Sequence, residues 1–154
     1  MKLNEWCNKC GITKEELTKL SGVPNDVLER YDCEKLHMMS AIYLFKLSLV
    51  LGLEDGKGYE LIDDTLKQQA IKEVKANFIH ELAKTEIEDC IAAEYVGEYE
   101  CIYDFCVSKV EKDDYKKIIE YRYPMLLRIM SFSEVQEAVK DKIGKLLNDK
   151  WKMI

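Results

Sequence analysis

Apolar residues return along this chain at helical intervals. Leu3, Trp6, Cys7 and Cys10 fall at i, i+3, i+4 and i+7, which is one face of a helix, and Gly11 stops it. Thr13 followed by Glu16 has the spacing of a capping box and predicts a helix from Lys14 to Leu20, with Leu17 and Leu20 turned inward. Ser21-Gly22 ends that helix after barely two turns. Val23 fills the turn, and Pro24 falls in the first turn of a third helix, where a missing N–H costs nothing. That helix buries Val27 or Leu28, together with Tyr31. Ser40 is the next N-cap, the apolar run Ala41 to Leu51 is the helix it starts, and Gly52 is the stop.

The rest of the chain follows the same period. Ile62, Leu66, Ile71, Val74, Phe78 and Leu82 predict a long amphipathic helix over 59–83. Thr85 with Glu88 forms another capping-box spacing, so a break near Lys84 and a new helix through Ile87, Cys90 and Ile91 are expected. Residues 95–110 fit two patterns. Val96, Tyr99, Ile102, Tyr103, Cys106 and Val110 suit a helix, whereas Tyr99, Cys101, Tyr103, Phe105 and Val107 suit one face of a strand. No partner strand is visible elsewhere, which favours the helix. Asp113 or Asp114 can cap a helix to about Met130, interrupted at Tyr123-Pro124. Ser131 with Glu134, or Ser133 alone, caps a last helix through Leu147, and Lys140, Lys142, Lys145 and Lys150 suit its C-terminal end.

Composition narrows the class. The chain has 154 residues, 47% hydrophobic and 34% charged, enough to build a core in one or two domains. Seven glycines and two prolines favour long helices over a turn-rich β fold. The net charge is −6, which excludes a wholly basic nucleic-acid coating protein. Residues 1–53 are neutral, so the whole excess sits beyond them. Between the halves lies Glu54-Asp55-Gly56-Lys57-Gly58, read as a hinge. The expected division is 1–55 and 56–154. No apolar run reaches about 18 residues, and the N-terminus lacks an apolar signal segment. A cytoplasmic protein with mostly reduced cysteines is therefore expected.

Two short helices joined by a glycine-containing turn form a helix-turn-helix, whose second helix can enter a DNA major groove. Thr13 to Val23 resembles the first half of the Cro/CI (XRE) helix-turn-helix family, and Ala41 to Leu53 resembles that family's fourth helix, with Leu28 and Tyr31 at its apolar positions. The resemblance covers residues 1–53. It implies a mainly α protein with a five-helix-type XRE domain, residues 24–32 as recognition helix, and a homodimer. The second domain is expected to be helical or α+β. Helix N-termini at Thr13 and Asn25 can offer N–H groups to phosphates, Lys14, Arg30 and Lys35 can pair with them, and Asn25 and Arg30 can read base edges. Asp26, Glu29 and Asp32 carry the opposite sign and must turn away from a polyanion. A helix-turn-helix used only for protein contact is the alternative that charge favours.

The acidic half holds seven of the nine tyrosines. Tyr95, Tyr99 and Tyr103 stand among carboxylates, a composition suited to a basic protein partner. The pairing of a neutral helix-turn-helix with an acidic helical domain resembles the two-domain anti-CRISPR proteins of phages and mobile elements. Leu17 to Val23, Leu28, Glu34-Lys35 and Leu44 to Leu53 carry that resemblance. It implies autorepression by the first domain and inhibition of a Cas nuclease by the second. A stand-alone XRE regulator is the other reading.

Other chemistry finds little support. Cys7, Cys10, Cys33 and His37 could assemble a zinc site, yet Cys7 and Cys10 sit beside Leu3 and Trp6 like ordinary buried thiols. Cys90, Cys101 and Cys106 read as core. His80 reads as a surface residue. No phosphate loop, nucleophile elbow or His-Glu-x-x-His motif is present, so no catalytic site, metal or cofactor is expected.

Overall fold

The computed structural model describes residues 3–30, 40–52, 62–92 and 99–152. Among these the fold is mainly helical, with no strand. The helices are α1 (Leu3–Cys10), α2 (Lys14–Ser21), α3 (Asn25–Arg30), α4 (Ala41–Leu51), α5 (Asp64–Ala92), α6 (Tyr99–Val110), α7 (Tyr115–Arg122), α8 (Leu126–Ile129) and α9 (Phe132–Lys152). They pack as two compact units, Met1–Asn77 and Phe78–Ile154. The expected hinge at 54–58 lies outside the described residues. The first unit extends past residue 55 to include the opening turns of α5.

In the first unit α2 is the hub, packed on α1, α3 and α4. Its start is fixed by Thr13, whose Oγ1 accepts from the Glu16 N–H at 3.1 Å. Its end is fixed by Gly22, at φ +75°, whose N–H donates to the Thr18 carbonyl. That left-handed conformation suits glycine and strains other residues. Ser21, fully buried, donates its hydroxyl to the Leu17 carbonyl at 2.6 Å and accepts from the Val23 N–H at 3.1 Å. The turn from α2 to α3 is thus held by its own hydrogen bonds, while Leu20, Val23 and Leu28 fill the space beneath it. Ser40 caps α4 and Gly52, at φ +72°, ends it.

In the second unit α6 packs chiefly on α9. Residues 99–110 are helical, so the strand pattern read there does not form. The expected break near Lys84 is also absent: α5 runs unbroken from Asp64 to Ala92. No glycine or proline interrupts that stretch, and Phe78, Leu82, Ala83, Ile87 and Cys90 continue one buried stripe through Thr85. A capping-box spacing inside a continuous stripe does not start a helix.

Asp114 stands at the start of α7 but makes no side-chain cap bond, and its backbone is already helical, so the Asp114 alternative of the expected cap does not form. Pro124 separates α7 from α8, as its missing N–H requires. Ser131 begins α9 as a full capping box. Its Oγ accepts from the Glu134 N–H at 3.2 Å, and Glu134 Oε1 receives both the Ser131 hydroxyl and its backbone N–H. No helix among the described residues is long and apolar enough to cross a membrane.

Candidate functional site

The candidate surface in the first unit is built on α3. Leu28 is completely buried, and this single anchor fixes which way the short helix faces. Asn25, Asp26, Glu29 and Arg30 all stand exposed, and Val27 is half-buried. Pro24 accepts from the Val27 and Leu28 N–H groups and so closes the first turn without a donor of its own. The exposed face therefore carries one amide, two carboxylates and one guanidinium. Asn25 donates through Nδ2 to Glu29 Oε1 at 3.2 Å, one turn along the same face. To reach a base edge, Asn25 must leave that carboxylate. Thr13 is exposed and Lys14 half-exposed at the start of α2. Lys35, with residues 31–39, lies outside the described residues, as do Tyr31, Asp32, Cys33 and His37.

Asn25 and Arg30 are thus both exposed on α3, at its two ends. The turn behind α3 carries a group that the sequence pattern did not single out. Asn77 donates through Nδ2 to the Leu20 carbonyl at 3.0 Å, and Glu73 reaches Lys46 of α4 at 2.7 Å. Glu73 also lies over Gly22 so closely that a Cβ there would collide with its carboxylate. The only sequence signal was spacing. Glu73 and Asn77 are four apart in a helix whose apolar stripe is Ala70, Val74 and Phe78, which puts both beside that stripe.

In the second unit, Tyr95 lies outside the described residues and Tyr99 lies in the first turn of α6. Tyr103 is half-buried, with Gly144 of α9 against its ring edge. Among the tyrosines whose burial is described, Tyr121 is the most exposed, at 90%. Helical phase could have found it, since Tyr115 and Ile119 take the buried stripe of α7 and Tyr121 falls off it. Ile91 and Phe105 are also exposed apolar side chains.

Between α5 and α6 sits a buried polar group. Glu86 is 3% exposed and pairs with Lys109 Nζ at 3.0 Å, while Asp89 stands 3.9 Å from the same nitrogen. Cys106 donates its thiol to the Glu86 carbonyl at 3.6 Å. Burial, then neighbouring Cys90 and Glu86, push the Cys106 thiol up to about 12, with Lys109 pulling the other way. The Tyr115 hydroxyl is buried without a hydrogen-bond partner among the described residues. Burial first, and the Glu86 charge second, raise its pKa above the usual phenol range. These groups are protonated at neutral pH and poor nucleophiles.

In the first unit, Cys7 is buried and Cys10 donates its thiol to the Leu51 carbonyl at 3.5 Å. Burial raises the Cys10 pKa against the pull of Lys9. His80 is half-buried in α5. Among the described residues no three His, Cys, Asp or Glu side chains converge as metal ligands do. No family model, no curated protein and no solved structure matches this chain.

Proposed function

We propose that the first unit is a helix-turn-helix module of the Cro/CI type, with α3 as its contact helix and double-stranded DNA as its target. One observation carries this reading: within Asn25–Arg30 Leu28 is the buried side chain, which leaves Asn25 and Arg30 exposed behind a tightly hydrogen-bonded turn. Arg30 and Asn25 read base edges, and Lys14, Arg30, Lys35 and the α2 N-terminus at Thr13 hold phosphates. Asp26 and Glu29 weaken that contact, so affinity is modest and falls as salt rises. Three basic contacts per chain give a slope of log affinity on log salt of about −3. A mobility-shift titration with DNA from upstream of its own coding sequence tests this. Arg30→Ala is expected to abolish the shift and Glu29→Gln to strengthen it. No shift at low salt removes the DNA reading.

The same two carboxylates, with Asn25 tied to Glu29, favour a second reading in which α3 contacts a protein. In either case the acidic second unit is the partner-binding half, with Tyr95, Tyr99 and Tyr103 in the expected contact region. A Cas nuclease is the basic partner proposed for it, and a homodimer the proposed assembly. A cleavage assay with excess full-length chain tests the inhibitor reading, and unimpeded cleavage eliminates it.

A further inference from the structure

The turn ahead of α3 is tied down by a helix that arrives some fifty residues later in the chain. Asn77 of α5 donates to the Leu20 carbonyl at 3.0 Å, at the last turn of α2, where helix carbonyls lack intrahelical partners. Glu73, one turn earlier on α5, roofs Gly22 and is held there by Lys46 of α4 at 2.7 Å. The Lys46 side chain is 15% exposed and that of Glu73 44%, so the lysine end of this ion pair is covered while the carboxylate stays partly in solvent. Gly22 is favoured twice over: its φ of +75° strains any residue with a β-carbon, and such a carbon would have to displace the Glu73 carboxylate. The turn is therefore held by Ser21 within it and by α5 through Glu73 and Asn77, with Lys46 of α4 pairing with Glu73.

We infer that Glu73 and Asn77 are positioning residues: α5 clasps the α2–α3 turn and sets the angle at which α3 meets its partner. Neither residue needs to touch that partner. The clasp stands on geometry alone, and its consequence for DNA rests on the reading of α3 proposed above.

The test uses the full-length chain and two readouts. The first is hydrogen exchange at Gly22, Val23, Val27 and Leu28, whose N–H groups bond within the turn and the first turn of α3. Asn77→Asp keeps the shape and removes the donor. Glu73→Lys and Lys46→Glu each place like charges together. Each is expected to speed exchange at these four amides by about tenfold, the effect of one net hydrogen bond or ion pair, while amides of α9 stay unchanged. The charge-swapped double variant Lys46→Glu/Glu73→Lys is expected to restore protection, which a merely space-filling role would not produce. Protection unchanged in the single variants, or a double variant no better than they are, overturns the clasp.

The second readout is the shift of upstream duplex DNA. Binding weakened in step with exchange, and recovered in the double variant, supports the positioning role. Wild-type affinity in variants whose turn exchanges fast overturns it. Lost protection in a chain whose wild type shifts no DNA leaves the clasp standing and removes the DNA reading instead.

Discussion

Glu86 shows how one side chain can organise the second unit. A carboxylate 3% exposed is tolerable only with a countercharge, and Lys109 supplies it from α6 while keeping its own nitrogen partly in solvent. Removing the lysine leaves the charge buried and alone. Lys109→Met is therefore expected to cost about 3 kcal/mol in urea unfolding. Adding Glu86→Gln should recover most of that loss, because the amide has no charge to strand. Equal stabilities for the single and double variants would show that the pair does not govern this packing.

Cys106 gives the same region a pH dependence. The folded thiol titrates at about 12 against an ordinary 9.0. Between those values the unfolded chain loses a proton that the folded chain keeps. Stability is thus fully present below pH 9 and falls as pH rises, by at most about 1.4 kcal/mol per pH unit. Chemical denaturation at pH 8 and pH 10 should show that fall, and Cys106→Ala should flatten it.

At the scale of elements, caps and turns decide where helices begin and end, and Gly22 is the most demanding of them. Gly22→Ala adds a strained left-handed residue and a collision with Glu73. A cost of about 2 kcal/mol is expected in thermal unfolding, above the usual penalty for alanine at such a position. Glu73→Ala in the same chain should return part of it by clearing the space. The Gly22 turn was legible because its signal is local: Thr13 and Glu16 open α2, and Ser21-Gly22 close it within one short segment. The Ser131–Glu134 box and the Pro124 break were legible for the same reason. Thr85 and Glu88 carry an identical local signal and were misleading, since the buried stripe through Leu82, Ile87 and Cys90 overrides it. Residues 99–110 could not be decided locally, because aromatic and β-branched side chains serve either period until α9 supplies the packing surface. Asn77 and Glu73 were invisible for a different reason. Their role exists only once α5 lies against α2 and α4, and a polar residue beside an apolar stripe does not announce its partner.

For the molecule as a whole, the consequence is that the first compact unit does not end where the composition shifts. The glycine-containing stretch 54–58 marks a change in charge, but the first unit runs on past it to Asn77 and includes the buried Ile62, Ala70 and Val74. Residues 1–55 alone would leave Lys46 without Glu73 and the Leu20 carbonyl without Asn77. A fragment that short buries only about 60% of its unfolded surface even when complete, so it has little stability to lose. A fragment Met1–Asn77 retains every one of these contacts. The longer fragment is expected to melt cooperatively by circular dichroism and the shorter one to show a broad, early loss of helix. Cooperative melting of residues 1–55 at the same temperature would mean that the opening turns of α5 rest on a finished domain. The predicted difference means instead that the helix carrying Glu73 and Asn77 completes the domain that presents α3.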